Sequence, residues 1–266
     1  MSHAFAELGT NLALVAWPGI ELEPLQKIIQ SKGGRAISIV ADLRDSEQRR
    51  AVVAQVQREF GSIDILVNNA GVEITAPYHE QTEDDILGVI AINLEASMVM
   101  TRLVLPDMLQ RRSGHIVNIS SLAGKAGPAF EESYSATKAG LIGFTSSLRA
   151  TYRGTGVGAS VIVPGFVEAG IYARLKQKSG CSAPVVLGTS SPEKVARAVL
   201  HAIQRNIAEI IVNPVPVRPL LAIINLSPSL GEWLIDKMGT NGFFQRVVQA
   251  TQKKEAERAL SAQTKG

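Results

Sequence analysis

Ile116-Val-Asn-Ile-Ser-Ser121-Leu-Ala-Gly-Lys-Ala-Gly-Pro-Ala-Phe-Glu-Glu-Ser-Tyr134-Ser-Ala-Thr-Lys138 is the stretch on which the reading of this chain turns. It runs from a short apolar strand, Ile116 to Ile119, into a loop rich in Gly and Ala, then into a long helical pattern from Tyr134 to Arg153. Residues four apart on a helix share a face, so the Lys138 ammonium stands beside the Tyr134 phenol. A phenol with an ordinary pKa of about 10 is a poor proton carrier at neutral pH. A neighbouring fixed cation favours the phenolate and lowers that value toward the working range. Ser121 adds a hydroxyl beside the same reacting oxygen. Taken alone, Tyr-x-x-x-Lys is an ordinary surface pair, so its weight depends on what else converges on it.

Outward from this stretch, strands alternate with helices. Toward the N-terminus, a helix end at Ala4 to Leu8 stops at Gly9, and the apolar run Leu12 to Ala16 reads as a buried strand. Helix (Glu21 to Ser31), strand (Ala36 to Val40) and helix (Ser46 to Phe60) follow, and strand Ile63 to Val67 feeds directly into Asn68-Asn69-Ala70-Gly71. A helical pattern in two pieces covers Thr82 to Leu109. After Arg153, strand Gly158 to Val163 stops at Pro164-Gly165, helices cover Ile171 to Lys178 and Pro192 to Arg205, and Ala208 to Val212 is a last strand. Strands that are apolar throughout imply a parallel sheet covered on both faces, a doubly wound α/β fold. Ligands of such sheets sit at the carboxyl ends of the strands. Asp42-Leu43, Asn68 to Gly71, Ser121 and Pro164-Gly165 all fall there.

With 266 residues and 45% hydrophobic content, the chain is long enough for one large core. The net charge of +3 is carried by the tail, where Arg246, Lys253, Lys254, Arg258 and Lys265 face only Glu255 and Glu257. No stacking aromatics are interleaved with these charges, so the tail reads as a solvated or frayed helix end and not as a nucleic-acid surface. Cys181 is the only cysteine, which excludes an intramolecular disulfide and a Cys-based metal cluster, and His3, His79, His115 and His201 lack metal-ligand spacing. The N-terminus lacks the basic start and apolar core of a signal peptide, so a cytoplasmic location is expected. The apolar stretch Pro219 to Ile235 is broken by Pro228, Gly231 and Glu232, which favours a cap over a pocket above a membrane anchor and leaves peripheral membrane contact as the less favoured alternative.

Together these residues resemble the short-chain dehydrogenase/reductase family. The similarity runs from about Ala4 to Pro214 and rests on Ala41-Asp42, Asn68-Asn-Ala-Gly71, Asn93 in I-N-L, Ser121 in N-I-S-S, Tyr134-x-x-x-Lys138 and Pro164-Gly165. It divides the chain into a Rossmann-like dehydrogenase domain, 1–214, and a substrate-lid segment with a basic tail, 215–266, of the same domain. The resemblance implies hydride transfer between a nicotinamide dinucleotide, NAD or NADP, and an alcohol/ketone pair. It makes Tyr134 the general acid/base, Lys138 the group that lowers the phenol and bonds the nicotinamide ribose, Ser121 the stabiliser of the reacting oxygen and Asn93 the holder of a relay water. Cofactor contacts would come from Asp42 at the adenine amino group, and from Leu43, Asn69, Ala70, Gly71, Tyr134, Lys138, Pro164 and Gly165. It also implies a homo-oligomer, through the helices at Thr82 to Leu109 and Tyr134 to Arg153.

Three departures qualify the resemblance. The family's opening strand and Gly-rich pyrophosphate turn have no counterpart, so the first, central strand of the sheet is expected to be lacking. Trp17-Pro18 stands at the end of Leu12 to Ala16, where family members carry an NAD- or NADP-selecting residue, which leaves the cofactor preference open. Ala169 stands where a Thr often meets the carboxamide. The apolar segment Val215 to Phe244 favours a lipophilic small-molecule substrate. The rival expectation is a non-catalytic interaction module, or an inactive remnant, that does not bind dinucleotide.

Overall fold

The structure is a computed structural model and describes residues 1–263. In chain order it contains α1 (Ser2–Ala6), β1 (Leu12–Ala16), α2 (Glu23–Ser31), β2 (Ala36–Val40), α3 (Ser46–Phe60), β3 (Ile65–Asn68) and α4 (Glu83–Ile90). A π-turn, Ala91–Glu95, joins α4 to α5 (Ala96–Arg111). Then come β4 (Gly114–Ile119), α6 (Glu132–Thr151), β5 (Val157–Pro164), α7 (Gly170–Ser179), α8 (Pro192–Arg205), β6 (Glu209–Val212), α9 (Arg218–Leu226), α10 (Pro228–Lys237) and α11 (Thr240–Gln263).

Local chemistry sets the helix starts. The Asp45 carboxylate accepts from the backbone N–H groups of Glu47 and Gln48 at 2.7 and 3.1 Å, capping α3. Thr82 and Asp85 form a reciprocal capping box at α4. Strand alternation then sorts side chains onto two layers. Ile116 packs with Val52, Val56, Met100 and Val104 of α3 and α5, whereas its neighbour Val117 packs with Phe5 of α1 and Val195 and Val199 of α8.

All strand pairs are parallel, yet the sheet is split. β1 pairs with β2, from Leu12 opposite Ala36 to Ala16 opposite Val40. β3, β4, β5 and β6 form a separate sheet in that order, with Asn68 opposite Asn118 and Ile119 opposite Ile162. β1 and β3 are each paired along one edge, and both border one large cavity. Its walls there are core-type residues, Val53, Met100 and Val104 on one side and Phe5 and Val195 on the other. The expected lack of a central strand thus takes the form of a slot between β1 and β3, with two strand edges unpaired among the described residues.

Beyond β6 the chain is helical. α11 does not begin as a solvated tail, because Phe243 and Val247 are fully enclosed and Phe243 meets Phe166 edge-on at 5.2 Å between ring centroids. Lys253 and Lys254 are exposed, as the sequence implies, while Lys265 and the Arg258 side chain lie outside the described residues. Among the described residues one continuous helical run, Glu83–Arg111, is long and apolar enough to cross a membrane by length and composition. It packs against α3, α6 and β4, and so belongs to the core layer.

Candidate active site

The strand carboxyl ends open onto a cavity of about 1520 Å³ that continues from the slot. Leu43, Asn69, Ala70, Gly71, Ser121, Tyr134, Lys138, Pro164 and Gly165, all singled out from the sequence, line it. Asn93 lies just behind this wall: its Oδ1 is 3.4 Å from where a Cβ on Gly71 would stand. Asp42 does not line the cavity. Its carboxylate is held by Arg44 through the backbone N–H and the guanidinium, each at 2.9 Å, which keeps it below the usual carboxylate range. The Arg44 guanidinium in turn lies over the Trp17 ring, 4.3 Å from its centroid, at the rim.

Polar bonds fix the start of α6 against the sheet. Ser120 Oγ donates to the Lys138 carbonyl at 2.7 Å, and Lys138 Nζ donates to the Ile119 carbonyl at 3.0 Å. Asn93 Nδ2 donates to the Val72 carbonyl and to Thr137 Oγ1, at 2.8 and 3.1 Å, while its Oδ1 accepts from the Val72 N–H. The amide therefore ties the loop after β3 to both the π-turn and α6. Gly124 is required by close approach, since a Cβ there would stand 2.5 Å from the Lys138 carbonyl carbon. Deeper in, Asn68 Nδ2 donates to Asn118 Oδ1 and Asn118 Nδ2 to Thr145 Oγ1, both at 2.8 Å, linking β3, β4 and α6. Sequence reasoning missed Asn118 and Thr145. The available signal was a polar residue alternating within the apolar run of β4.

The electrostatics differ from the sequence expectation in one respect. The Ser121 hydroxyl acts on the Tyr134 phenol in the direction that favours its ionised form, and Lys138 Nζ lies 5.5 Å from the ring centroid. Burial nevertheless pushes the phenol up, and the charges of Glu131 and Glu73 push it further, so the tyrosine holds its proton at neutral pH. Burial also brings Lys138 down to about 8. Glu131 was not foreseen either. It is 2% exposed, takes a short hydrogen bond from Thr75 Oγ1, lines the cavity, and is pushed up by burial to about 8.

The residues fit a nicotinamide dinucleotide at one end. Asn69 to Gly71, Lys138, Pro164 and Gly165 surround the part of the cavity next to Tyr134, and small residues there keep its walls open. At the far end, among the described residues, no glycine-rich turn offers backbone N–H groups to a pyrophosphate. His115, Cys181 and the acidic residues form no metal-ligating group among the described residues.

The family described as short chain dehydrogenase matches residues 1–180. A ketoacyl reductase, HetN, from Nostoc sp. is 41% identical over 223 residues, which is 82% of this chain and 77% of that protein. The 3-oxoacyl-[acyl-carrier-protein] reductase FabG from Thermotoga maritima is 34% identical over 199 residues, 74% of this chain and 81% of that protein. A crystal structure of a metagenomic short-chain oxidoreductase in complex with NADP superposes with a TM-score of 0.68 at 32% identity, covering 80% of this chain and 90% of that one. The chain belongs to the short-chain dehydrogenase/reductase family of NAD(P)-dependent oxidoreductases.

Proposed function

We propose that the chain reduces the ketone of an apolar β-oxoacyl compound to the alcohol, with Tyr134 as the proton donor. The observation that carries this is the placing of Ser121 and a protonated Tyr134 phenol together on the wall of a cavity whose other side is apolar. Tyr134 holds the proton that the carbonyl oxygen takes up as it becomes an alkoxide, and Ser121 stabilises that oxygen while charge develops. A phenol pushed up by burial holds its proton at neutral pH, so the proton is present when the ketone binds. Lys138, enclosed and anchored to Ile119, places a cation behind the phenol and offers its ammonium to the ribose. Asn93 positions the loop at Gly71 and backs the proton relay. When bound beside Asn69 to Gly71, Pro164 and Gly165, the reduced nicotinamide supplies the hydride. Leu220, Leu221 and Ile224 of α9, with Met238 in the turn after α10 and Phe244 of α11, close the substrate end and exclude water.

The β-oxoacyl class is supported by the names of two relatives and by this apolar lining. A homo-oligomer is supported by Leu87, Ile90 and Met98, exposed on one long helix layer beside α6. The test is oxidation of NADPH and NADH in the presence of methyl β-oxodecanoate. Consumption that depends on the ester, with the alcohol as product, is the expected result, and none with either cofactor would sink the reading.

A further inference from the structure

Ser121 and Tyr134 account for one substrate oxygen, and the cavity wall carries another buried polar group that they do not use. Glu131 is the cap residue of α6, three positions before Tyr134, so the two side chains leave the helix start on the same side. Thr75 Oγ1 is hydrogen-bonded to Glu131 Oε1, which leaves Oε2 as the oxygen free to meet a ligand. Among the described residues no donor is bonded to Oε2. The charged groups facing this corner are Glu73, on the loop that carries Thr75, and Glu132 beside it, while Arg174 and Lys178 of α7 act on Glu73. With two carboxyls close by and only 2% exposure, Glu131 is pushed up to about 8, chiefly by burial, and holds its proton at neutral pH. Its Oε2 then carries a proton that seeks an acceptor. A buried donor left unmatched is costly, and one matched by a ligand discriminates strongly for it.

We propose that Glu131 selects substrates carrying a second carbonyl oxygen beside the reacting ketone, donating to that oxygen through Oε2. This rests on the β-oxoacyl reading above and names its recognition device. A β-oxo ester or thioester places the second oxygen two carbons from the first, and Tyr134 and Glu131 lie one helical turn apart. A plain ketone leaves the Glu131 proton without a partner, while its own apolar chain is held equally well by Leu221 and Ile224.

Two ligands matched in backbone length test this, methyl β-oxodecanoate and butyl heptyl ketone, with equilibrium binding read by calorimetry so that hydride transfer is not needed. The unmodified chain is expected to bind the oxo ester about tenfold more tightly, the size of one hydrogen bond. Glu131→Leu should abolish that preference and leave ketone binding unchanged. Glu131→Gln, which retains a donor, should keep most of it. Thr75→Val, which removes only the tie between loop and helix, should also keep it, and a purely structural role for Glu131 would not give this pattern. No preference in the unmodified chain, no binding of the ester, or an equal preference in Glu131→Leu overturns the proposal, and the first two hold even if the Leu variant does not fold. Turnover of the same ligands is scored separately. Preference without turnover counts against the reductase reading alone, whereas turnover of both ligands without preference counts against Glu131 alone.

Discussion

Lys138 Nζ lies 5.5 Å from the centroid of the Tyr134 ring, yet its hydrogen bond goes to the Ile119 carbonyl at 3.0 Å. The lysine is thus a buried cation held by the sheet, one helical turn beyond the phenol. Burial depresses it from 10.5 to about 8. The unfolded chain keeps this proton up to its ordinary value, and the folded chain gives it up near 8. The burial penalty is therefore present in full below about 8 and fades as pH rises from there toward 10.5, so stability rises with pH in that window. Lys138→Met should remove a penalty of roughly 3 kcal/mol, less the lost bond to Ile119, and abolish the rise. Urea unfolding across that window checks both, and a variant less stable than the parent at neutral pH would contradict the claim.

Glu131 gives the opposite sign at lower pH. Its folded value of about 8 lies above the ordinary 4.5, so its contribution is complete below 4.5 and is lost as pH rises through about 8. Glu73, raised to about 7 mainly by burial, acts in the same direction, whereas His115, lowered by burial to about 4, acts oppositely at acid pH. The difference between parent and Glu131→Gln cancels the shared groups. Urea midpoints should show a smaller fall for the variant between 4.5 and 8, and parallel curves would count against a buried neutral carboxyl.

Gly124 meets α6 backbone on backbone. A Cβ would stand 2.5 Å from the Lys138 carbonyl carbon and 2.7 Å from the Ala139 nitrogen, and neither can swing away as a side chain could. Gly124→Ala should destabilise by about 1–3 kcal/mol and lower turnover by shifting Tyr134 and Lys138. Thermal melting and steady-state rates on one preparation test it.

The slot between β1 and β3 predicts a pattern of amide exchange. Val117, on β4 between β3 and β5, belongs to a strand paired on both edges, whereas Leu12–Ala16 and Ile65–Asn68 each have one edge open to the cavity. Slot-facing amides of β1 and β3 should exchange about a hundredfold faster than those of β4, or more. Equal protection would mean that the slot is closed in solution.

The residues that were legible in the sequence are those whose role is local. Asn68 to Gly71 and Pro164-Gly165 stand out because they end apolar runs abruptly, and Tyr134 and Lys138 because helical spacing makes them neighbours. Glu131 was not legible. Glu131 and Glu132 stand side by side just before the helical pattern that begins at Tyr134, and the structure buries the first, bonded to Thr75 far away in sequence, while the second is exposed. The opposed shift of Tyr134 was hidden for the same reason: spacing reports the lysine and says nothing of burial. The C-terminal segment was legible as apolar, but its last helix, α11, is anchored by aromatic contacts between Phe243, Phe244 and Phe166, which no period reveals.

The central claim is proton donation by Tyr134, and Tyr134→Phe measured with NADPH and methyl β-oxodecanoate tests it most directly. The phenyl ring keeps the packing, so the melting temperature should stay within a few degrees of the parent. Loss of NADPH consumption by about a hundredfold to ten-thousandfold is the predicted result. Undiminished turnover in a folded Phe variant would contradict it.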